Sequence, residues 1–175
     1  IHDAVVALHE IPVPVIGKVR GVAVGAGMSL ALACDLVVAS HNARFAAIFA
    51  RRGLSLDCGA SWLLPRLVGI QKAKEIALLA DMVGAEEAKA MGLVNRVVPD
   101  DELDAAVAEL ATRLSRGPTL ALSMTKRLLN NALTSSLSES LEAEAMAQAV
   151  NSSTDDTKEG MLAFLEKRDA SFKGR

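Results

Sequence analysis

An α/β core followed by a helical half is the fold class this sequence predicts, and three observations predict it. In residues 1–98, short β-branched runs alternate with helical segments rich in small residues. After Pro99 the apolar residues recur at helical spacing through to the C-terminus. The composition supplies the third: 175 residues, 51% hydrophobic but 3% aromatic and without tyrosine, describe one compact domain with a core of Ala, Leu and Val.

The elements follow in order. "IHDAVVALHEI" (1–11) is an amphipathic segment, and because it begins without a methionine an N-terminal portion is expected to be absent. "PVIGKVRGVAV" (14–24) and "DLVVAS" (35–40) are β-branched runs separated by "GAGMSLALAC", whose small residues and leucines suit a buried helix. The pattern is strand, glycine turn, helix, strand. "ARFAA" (43–47) adds a short strand. "SWLLPRLVGIQKAKEIALLA" reads as a helix broken around Pro65 to Gly69 and followed by a second, and "GAEEAKAMGLVNRVV" as a short helix stopped by Gly92, leading to a strand at 94–98.

Pro99 and Asp100 open a helix with Leu103, Val107, Leu110, Ala111 and Leu114 on one face. Pro118 suits the first turn of the next, with Leu122, Leu129 and Ala132 as its apolar stripe. Ser136 and Glu139 have capping-box spacing at the start of a third, which runs to about Val150. The last begins near Thr154 and carries Met161, Phe164 and Leu165. There are no internal repeats and no low-complexity tract.

Several function classes are disfavoured. A net charge of −2 argues against a polyanion partner, since nucleic-acid modules carry a basic face. Cys34 and Cys58 lie in apolar surroundings without a second ligand pair, so they read as reduced, buried residues of a cytoplasmic protein, with no zinc or other metal site. The longest apolar stretch, from Val22 to Cys34, is too short to span a bilayer, and no signal peptide precedes it, so no membrane partner is expected.

The glycine turn "VAVGAGMSLA" is not a dinucleotide fingerprint. Its spacing is Gly25, Gly27, Leu30, where the third position requires Gly or Ala, and the acidic residue expected about twenty positions on is missing. The turn still presents free N–H groups at a helix start, where they can stabilise an anion; alternatively its glycines only let helix and strand pack closely. In "RRGLSLDCGASWLLPR" (51–66), Asp57 stands in an apolar stretch, as a turn residue or as a functional carboxylate. Leu54, Leu56, Cys58 and Trp62 would desolvate it and raise its pKa. His2, His9 and His41 lie apart and read as surface or helix-end residues.

Five segments in register, "KVRGVAVGAGMSLALACDLVVAS", "ARFA", "GLSLDCGASWLLPRLVG", "AEEAKAMGLVNRVVP" and "TKEGMLAFLEKRDASFKGR", resemble the enoyl-CoA hydratase/isomerase (crotonase) superfamily from about Ile11 onward. The resemblance implies a spiral of ββα units, with 1–98 as the C-terminal part of that core and 99–175 as a helical region for oligomerisation and completion of the CoA pocket. It also implies homotrimers or hexamers, acyl-CoA thioester substrates, and no permanently bound cofactor, coenzyme A arriving as part of the substrate. By position, the amide of Ala26, between Gly25 and Gly27, is one of two oxyanion-hole donors for a thioester enolate. The other belongs to a segment preceding this chain.

Hydratases of the family use two glutamates, and the matching places here hold Ser29 and Phe49. The turn "G-L-x-x-D-x-G-x-x-W-x-L-P-R" instead resembles the branch of the phenylacetate-pathway ring-epoxide isomerase, which carries an aspartate at the place of Asp57. The resemblance therefore implies Asp57 and Ala26 as the catalytic groups, and Gly25, Gly27, Phe49 and Trp62 as substrate-binding residues. Phe164 and Lys167 match the aromatic and the lysine that complete a neighbouring subunit's CoA pocket, unless Phe164 is core and Lys167 a solvated charge. The expected reaction is proton-shuttling isomerisation of an enoyl-CoA. The alternatives are an enoyl-CoA hydratase with an atypical site and a non-catalytic acyl-CoA binding or assembly subunit.

Overall fold

The computed structural model describes residues 2–175, so Ile1, at the head of the amphipathic N-terminal segment, lies outside the described residues. The chain forms two compact units, Ile1–Ile11 with Val15–Glu109, and Pro12–Pro14 with Leu110–Arg175.

The first unit begins with helix α1 (His2–Glu10). The β-branched run that follows is two strands rather than one, β1 (Ile16–Val19) and β2 (Val22–Val24), because Gly21 adopts a φ of 74° and turns the chain between them. Next come α2 (Ala26–Leu32), β3 (Leu36–Ser40) and β4 (Arg44–Ala46). β1 pairs in parallel with β3, Ile16 opposite Leu36, and β2 pairs in parallel with β4, Val22 opposite Arg44. Parallel neighbours need a crossover, and α2 supplies it. Each circuit thus lays one strand in each of two sheets before crossing by a helix, which is the ββα spiral.

The next circuit repeats the plan. α3 (Ala60–Leu79) is kinked at Gly69, whose φ of 75° and ψ of 159° are not helical, whereas Pro65 sits inside the helix before the kink. A strand of two residues, β5 (Val83–Gly84), pairs antiparallel with β4 and was not legible from hydrophobic periodicity. α4 (Ala85–Ala90) then leads to β6 (Arg96–Val98), parallel to β3. The two sheets have the orders β1-β3-β6 and β2-β4-β5. Because β3 is the central strand, Val38, Ala39 and Ser40 are fully buried, as expected for parallel strands covered on both faces. The Ser40 hydroxyl is satisfied there, donating to Asp100 Oδ1 at 2.7 Å and accepting from the Asn42 N–H at 3.2 Å. Phe45 of β4, Met28 of α2 and Leu64 of α3 belong to the same core.

α5 (Leu103–Ser115) buries Leu103 and Leu110 and half-buries Val107 and Leu114, but exposes Ala111. In α6 (Thr119–Asn131) the expected stripe does not hold. Pro118 stands just outside the first turn, Leu122 is half-buried, Leu129 is exposed and Ala132 lies beyond the helix. The inward residue is Lys126, whose apolar stem is buried while Nζ donates to the Val13 carbonyl at 3.3 Å. α7 (Leu137–Ser152) starts with the predicted capping box: the Ser136 hydroxyl accepts the Glu139 N–H and the Glu139 carboxylate accepts the Ser136 N–H. α8 (Asp155–Glu166) is capped by Thr154, and its buried Asp156 accepts the N–H groups of Lys173 and Gly174 at 2.6 and 2.8 Å, holding the C-terminal tail against the helix start.

Glu159 adds a second tether. It accepts two hydrogen bonds from the Arg168 guanidinium, at 2.6 and 3.0 Å, and one from the Ser171 N–H at 2.8 Å. The Arg168 bonds, and then the Ser171 amide, lower its carboxyl from 4.5 to about 2. A carboxyl depressed in the folded state contributes stability above its unfolded pKa and loses it as pH falls through the folded one. The melting temperature of Glu159→Gln is therefore expected to lie below that of the wild type at neutral pH, with the gap closing as pH falls from about 4.5 to about 2. A gap that stays constant over that range would show that the carboxylate charge contributes nothing.

Candidate functional site

The glycine turn is built by β2 and α2. Gly25 has a φ of 54° and a ψ of −124°, a conformation suited to glycine, and its N–H donates to Ala46 of β4 at 2.9 Å. The first helical bond of α2 runs from the Ser29 N–H to the Gly25 carbonyl at 3.0 Å. The amides of Ala26, Gly27 and Met28 precede it and have no acceptor within the helix. Ala26 is half-buried and Gly27 exposed. A Cβ on Gly25 would meet Ile48 at 3.5 Å and the tip of the Phe49 ring at 3.9 Å, so Phe49 lies beside the turn.

Asp57 begins a second turn. Cys58 and Gly59 both have positive φ, 54° and 80°, and a left-handed non-glycine residue persists only where its surroundings hold it. Asp57 supplies two of those holds: Oδ1 accepts the Cys58 N–H at 2.6 Å, and the carbonyl accepts the Ala60 N–H at 3.1 Å at the start of α3. The expected desolvation of the carboxylate is not found. Asp57 is exposed, Leu54 and Trp62 are exposed too, Leu56 is half-buried, and only Cys58 is buried. The left-handed turn packs Cys58, not Asp57, against the interior. Burial, followed by the neighbouring Asp57 charge, raises the Cys58 thiol above its usual pKa. Cys34 is half-buried rather than buried, and the two cysteines form no disulfide.

Asp57 opens onto a cavity of ≈ 470 Å³ walled by its own turn, by Trp62, and by Val5, Val6 and His9 of α1. The His9 ring meets Trp62 edge-on, with centroids 5.3 Å apart and planes at 78°, and the Arg66 guanidinium lies 3.8 Å over the Trp62 ring. His9 is therefore half-buried and lines the candidate site; His2 is exposed as expected but also borders this cavity, and His41 is exposed. The helical spacing from Val5 and Val6 to His9 was the signal available for this. Phe49 lines a neighbouring cavity of ≈ 330 Å³ with Leu54, Leu64 and Ile70, and Leu56 and Ser61 contribute to the walls of both.

Ser29 joins the two turns. It is 1% exposed, and its hydroxyl lies 3.2 Å from the Gly25 carbonyl and 3.3 Å from the Asp57 carbonyl. The sequence shows Ser29 only as the residue standing where a hydratase has glutamate; no local pattern announces the contact with Asp57, 28 residues away.

Two further residues lie in the second unit. Phe164 is 82% exposed on α8, which excludes a core role in this chain, and Lys167 ends the helix in a left-handed conformation, φ 54°. Arg51 and Arg52 are exposed, and Arg51 pairs with Asp81 at 2.9 Å. Among the described residues no group of three or more His, Cys, Asp or Glu side chains could hold a metal ion, and no helix is long and apolar enough to cross a membrane.

The enoyl-CoA hydratase/isomerase family model matches residues 1–175. The chain is 40% identical over 168 residues to the 1,2-epoxyphenylacetyl-CoA isomerase of Escherichia coli, covering 96% of this chain and 64% of that protein. It is 40% identical over 159 residues to the crotonyl-CoA hydratase of Syntrophomonas wolfei, covering 91% of this chain and 61% of that protein. The chain thus spans less than two thirds of the length of these curated relatives. The crystal structure of the enoyl-CoA hydratase from Bacillus anthracis superposes with a TM-score of 0.96 at 32% identity, over 99% of this chain and 67% of that one. Sequence match along its whole length and the shared spiral agree: the chain belongs to the enoyl-CoA hydratase/isomerase, or crotonase, family.

Proposed function

We propose that the protein acts on acyl-CoA thioesters and that Asp57 carries a proton between two carbons of an enoyl chain. The Asp57 carboxylate takes a proton from the carbon next to the thioester carbonyl of a 3-enoyl-CoA, and the C–H electron pair moves into the carbonyl to give a dienolate. The Ala26 N–H is one donor to the thioester oxygen as its charge develops, and preorganised donors of this kind lower the barrier to enolate formation. The protonated Asp57 then returns its proton two carbons further on, and the electrons fall back to give the conjugated 2-enoyl-CoA.

The observation that carries this reading is the Ser29 hydroxyl, within 3.3 Å of both the Gly25 and the Asp57 carbonyls, which brings the free-amide turn and the carboxylate turn together. A hydratase needs two acid-base groups to activate water and protonate carbon, and Ser29 and Phe49 cannot supply them. The Escherichia coli relative, a 1,2-epoxyphenylacetyl-CoA isomerase, supports this reading. A second reading, enoyl-CoA hydration, is favoured by the names of other relatives, the crotonyl-CoA hydratase among them. In the isomerase reading Gly25, Gly27, Phe49 and Trp62 border the acyl group, and coenzyme A enters with the substrate. Incubation with 3-enoyl- and 2-enoyl-CoA thioesters in deuterated water separates the readings. Isomerisation and deuterium exchange should outpace hydration; faster hydration of the 2-enoyl substrate would replace isomerase with hydratase, and neither reaction would leave a binding subunit.

In the same reading, residues 99–175 serve self-association, and Phe164 and Lys167 complete the CoA pocket of a neighbouring copy. Met161, Phe164 and Leu165 of α8 are 68%, 82% and 76% exposed, a large apolar area for one helix to leave in water. A homotrimer or hexamer covers it. Light scattering at micromolar concentration is expected to give one of those masses, and a monomer would refute the assignment.

A further inference from the structure

We propose that Ser29 is a positioning residue, whose buried hydroxyl locks the Asp57 turn in register with the helix that opens at the Ala26 amide. This rests on the reading of Asp57 as the proton carrier. It goes beyond that reading by giving a task to the side chain that stands where a catalytic glutamate is missing.

A serine inside a helix usually back-bonds to the carbonyl four residues earlier and needs no further partner. Ser29 has that option at 3.2 Å, to Gly25, yet its oxygen also lies 3.3 Å from the Asp57 carbonyl. A hydroxyl has one proton, so the two carbonyls share it, one belonging to the turn that presents Ala26 and the other to the proposed base. The hydroxyl is buried, Ser29 being 1% exposed, which strengthens the bond and makes its loss felt.

The Asp57 turn requires such a strut. Cys58 is held at a φ of 54°, and the local restraints are the Asp57 carboxylate on the Cys58 N–H at 2.6 Å and the Asp57 carbonyl on the Ala60 N–H at 3.1 Å. Both restraints lie within the turn itself, and neither ties it to α2. Ser29 does, across 28 residues of sequence. An exposed carboxylate borne by an untethered turn would sample positions away from the reacting carbon, and small misplacements of a catalytic group are costly.

The test is Ser29→Ala in the whole protein, a change that favours the helix and so endangers α2 little. Turnover of a 3-enoyl-CoA should fall about five- to tenfold, the worth of one neutral hydrogen bond, with KM unchanged. Alkylation of Cys58 by iodoacetamide should accelerate by a similar factor, about five- to tenfold on the same bond, relative to the internal control Cys34. Ser29→Thr should restore both readouts and Ser29→Val, of the same shape without the hydroxyl, neither. This pair reads the same bond if the alanine variant does not fold.

Wild-type turnover in Ser29→Ala overturns the proposal, as does a loss in which both thiols react faster together, since that marks general loosening. Cys58 labelling depends on no chemistry at Asp57. If Asp57→Asn turns over normally, the proton-carrier reading fails whatever Ser29 does; if Asp57→Asn is inactive and Ser29→Ala leaves Cys58 labelling unchanged, the strut alone fails.

Discussion

Asp57→Asn is expected to bind 3-enoyl-CoA with wild-type affinity and to lose double-bond migration by about 10²- to 10⁴-fold, the range a positioned proton-transfer group contributes. Asparagine keeps the size of the side chain, and its amide oxygen can still accept the Cys58 N–H that Oδ1 accepts at 2.6 Å, so the turn should survive. What it lacks is basicity. Substrate therefore binds, but no proton leaves carbon. The measurement is deuterium wash-in from deuterated water, followed beside binding by calorimetry. Loss of exchange with retained binding supports the assignment, because an interaction made only in the transition state lowers kcat and leaves KM unchanged. Wild-type exchange in the variant would reduce Asp57 to a turn residue that merely restrains Cys58.

Ala26→Pro is expected to lower turnover by about 10²- to 10³-fold through the loss of one oxyanion donor. Ala26 is the first residue of α2, where proline is best tolerated because its fixed φ suits the helix and the N–H it removes has no helical acceptor. The substitution therefore deletes the proposed donor with little else. Proline does restrict the residue before it, and Gly25 at φ 54° and ψ −124° must accept that restriction, so circular dichroism and a thermal melt accompany the assay. Ala26→Gly, which keeps the N–H, is the control and should stay within a few-fold of wild type. A folded Ala26→Pro protein with undiminished turnover would move the oxyanion hole elsewhere.

These two residues were legible in the sequence for different reasons. The Gly25-Ala26-Gly27 turn is a local signal for where α2 starts, with glycine at a positive φ between a β-branched run and a small-residue helix, but the role given to the Ala26 amide rests on the family resemblance. Asp57 stood out as a carboxylate in an apolar stretch, but the inference that its neighbours bury it failed. Leu56, Cys58 and Trp62 do share a cavity with Asp57, but with left-handed φ at Cys58 and Gly59 the turn buries Cys58 while leaving Asp57 exposed. His9 was overlooked because its significance depends on Trp62, far along the chain, against which α1 sets its ring. Leu129 was misassigned because a helical stripe shows where a face is, not what covers it; Lys126 turned inward instead.

The sequence by itself determined the order of the helices and of the longer β-branched segments, the capping box at Ser136, the break near Gly69 and the position of the free-amide turn. All of these depend on backbone preferences and side-chain spacing within a few residues. Only the tertiary structure decided that residues 14–24 divide between two sheets, that β5 pairs with β4, that His9 meets Trp62, and that one buried hydroxyl on α2 reaches the Asp57 turn. Those features are contacts between residues distant in sequence. Their free energy arises when the parallel crossovers of the spiral bring the segments together, and no local periodicity encodes it.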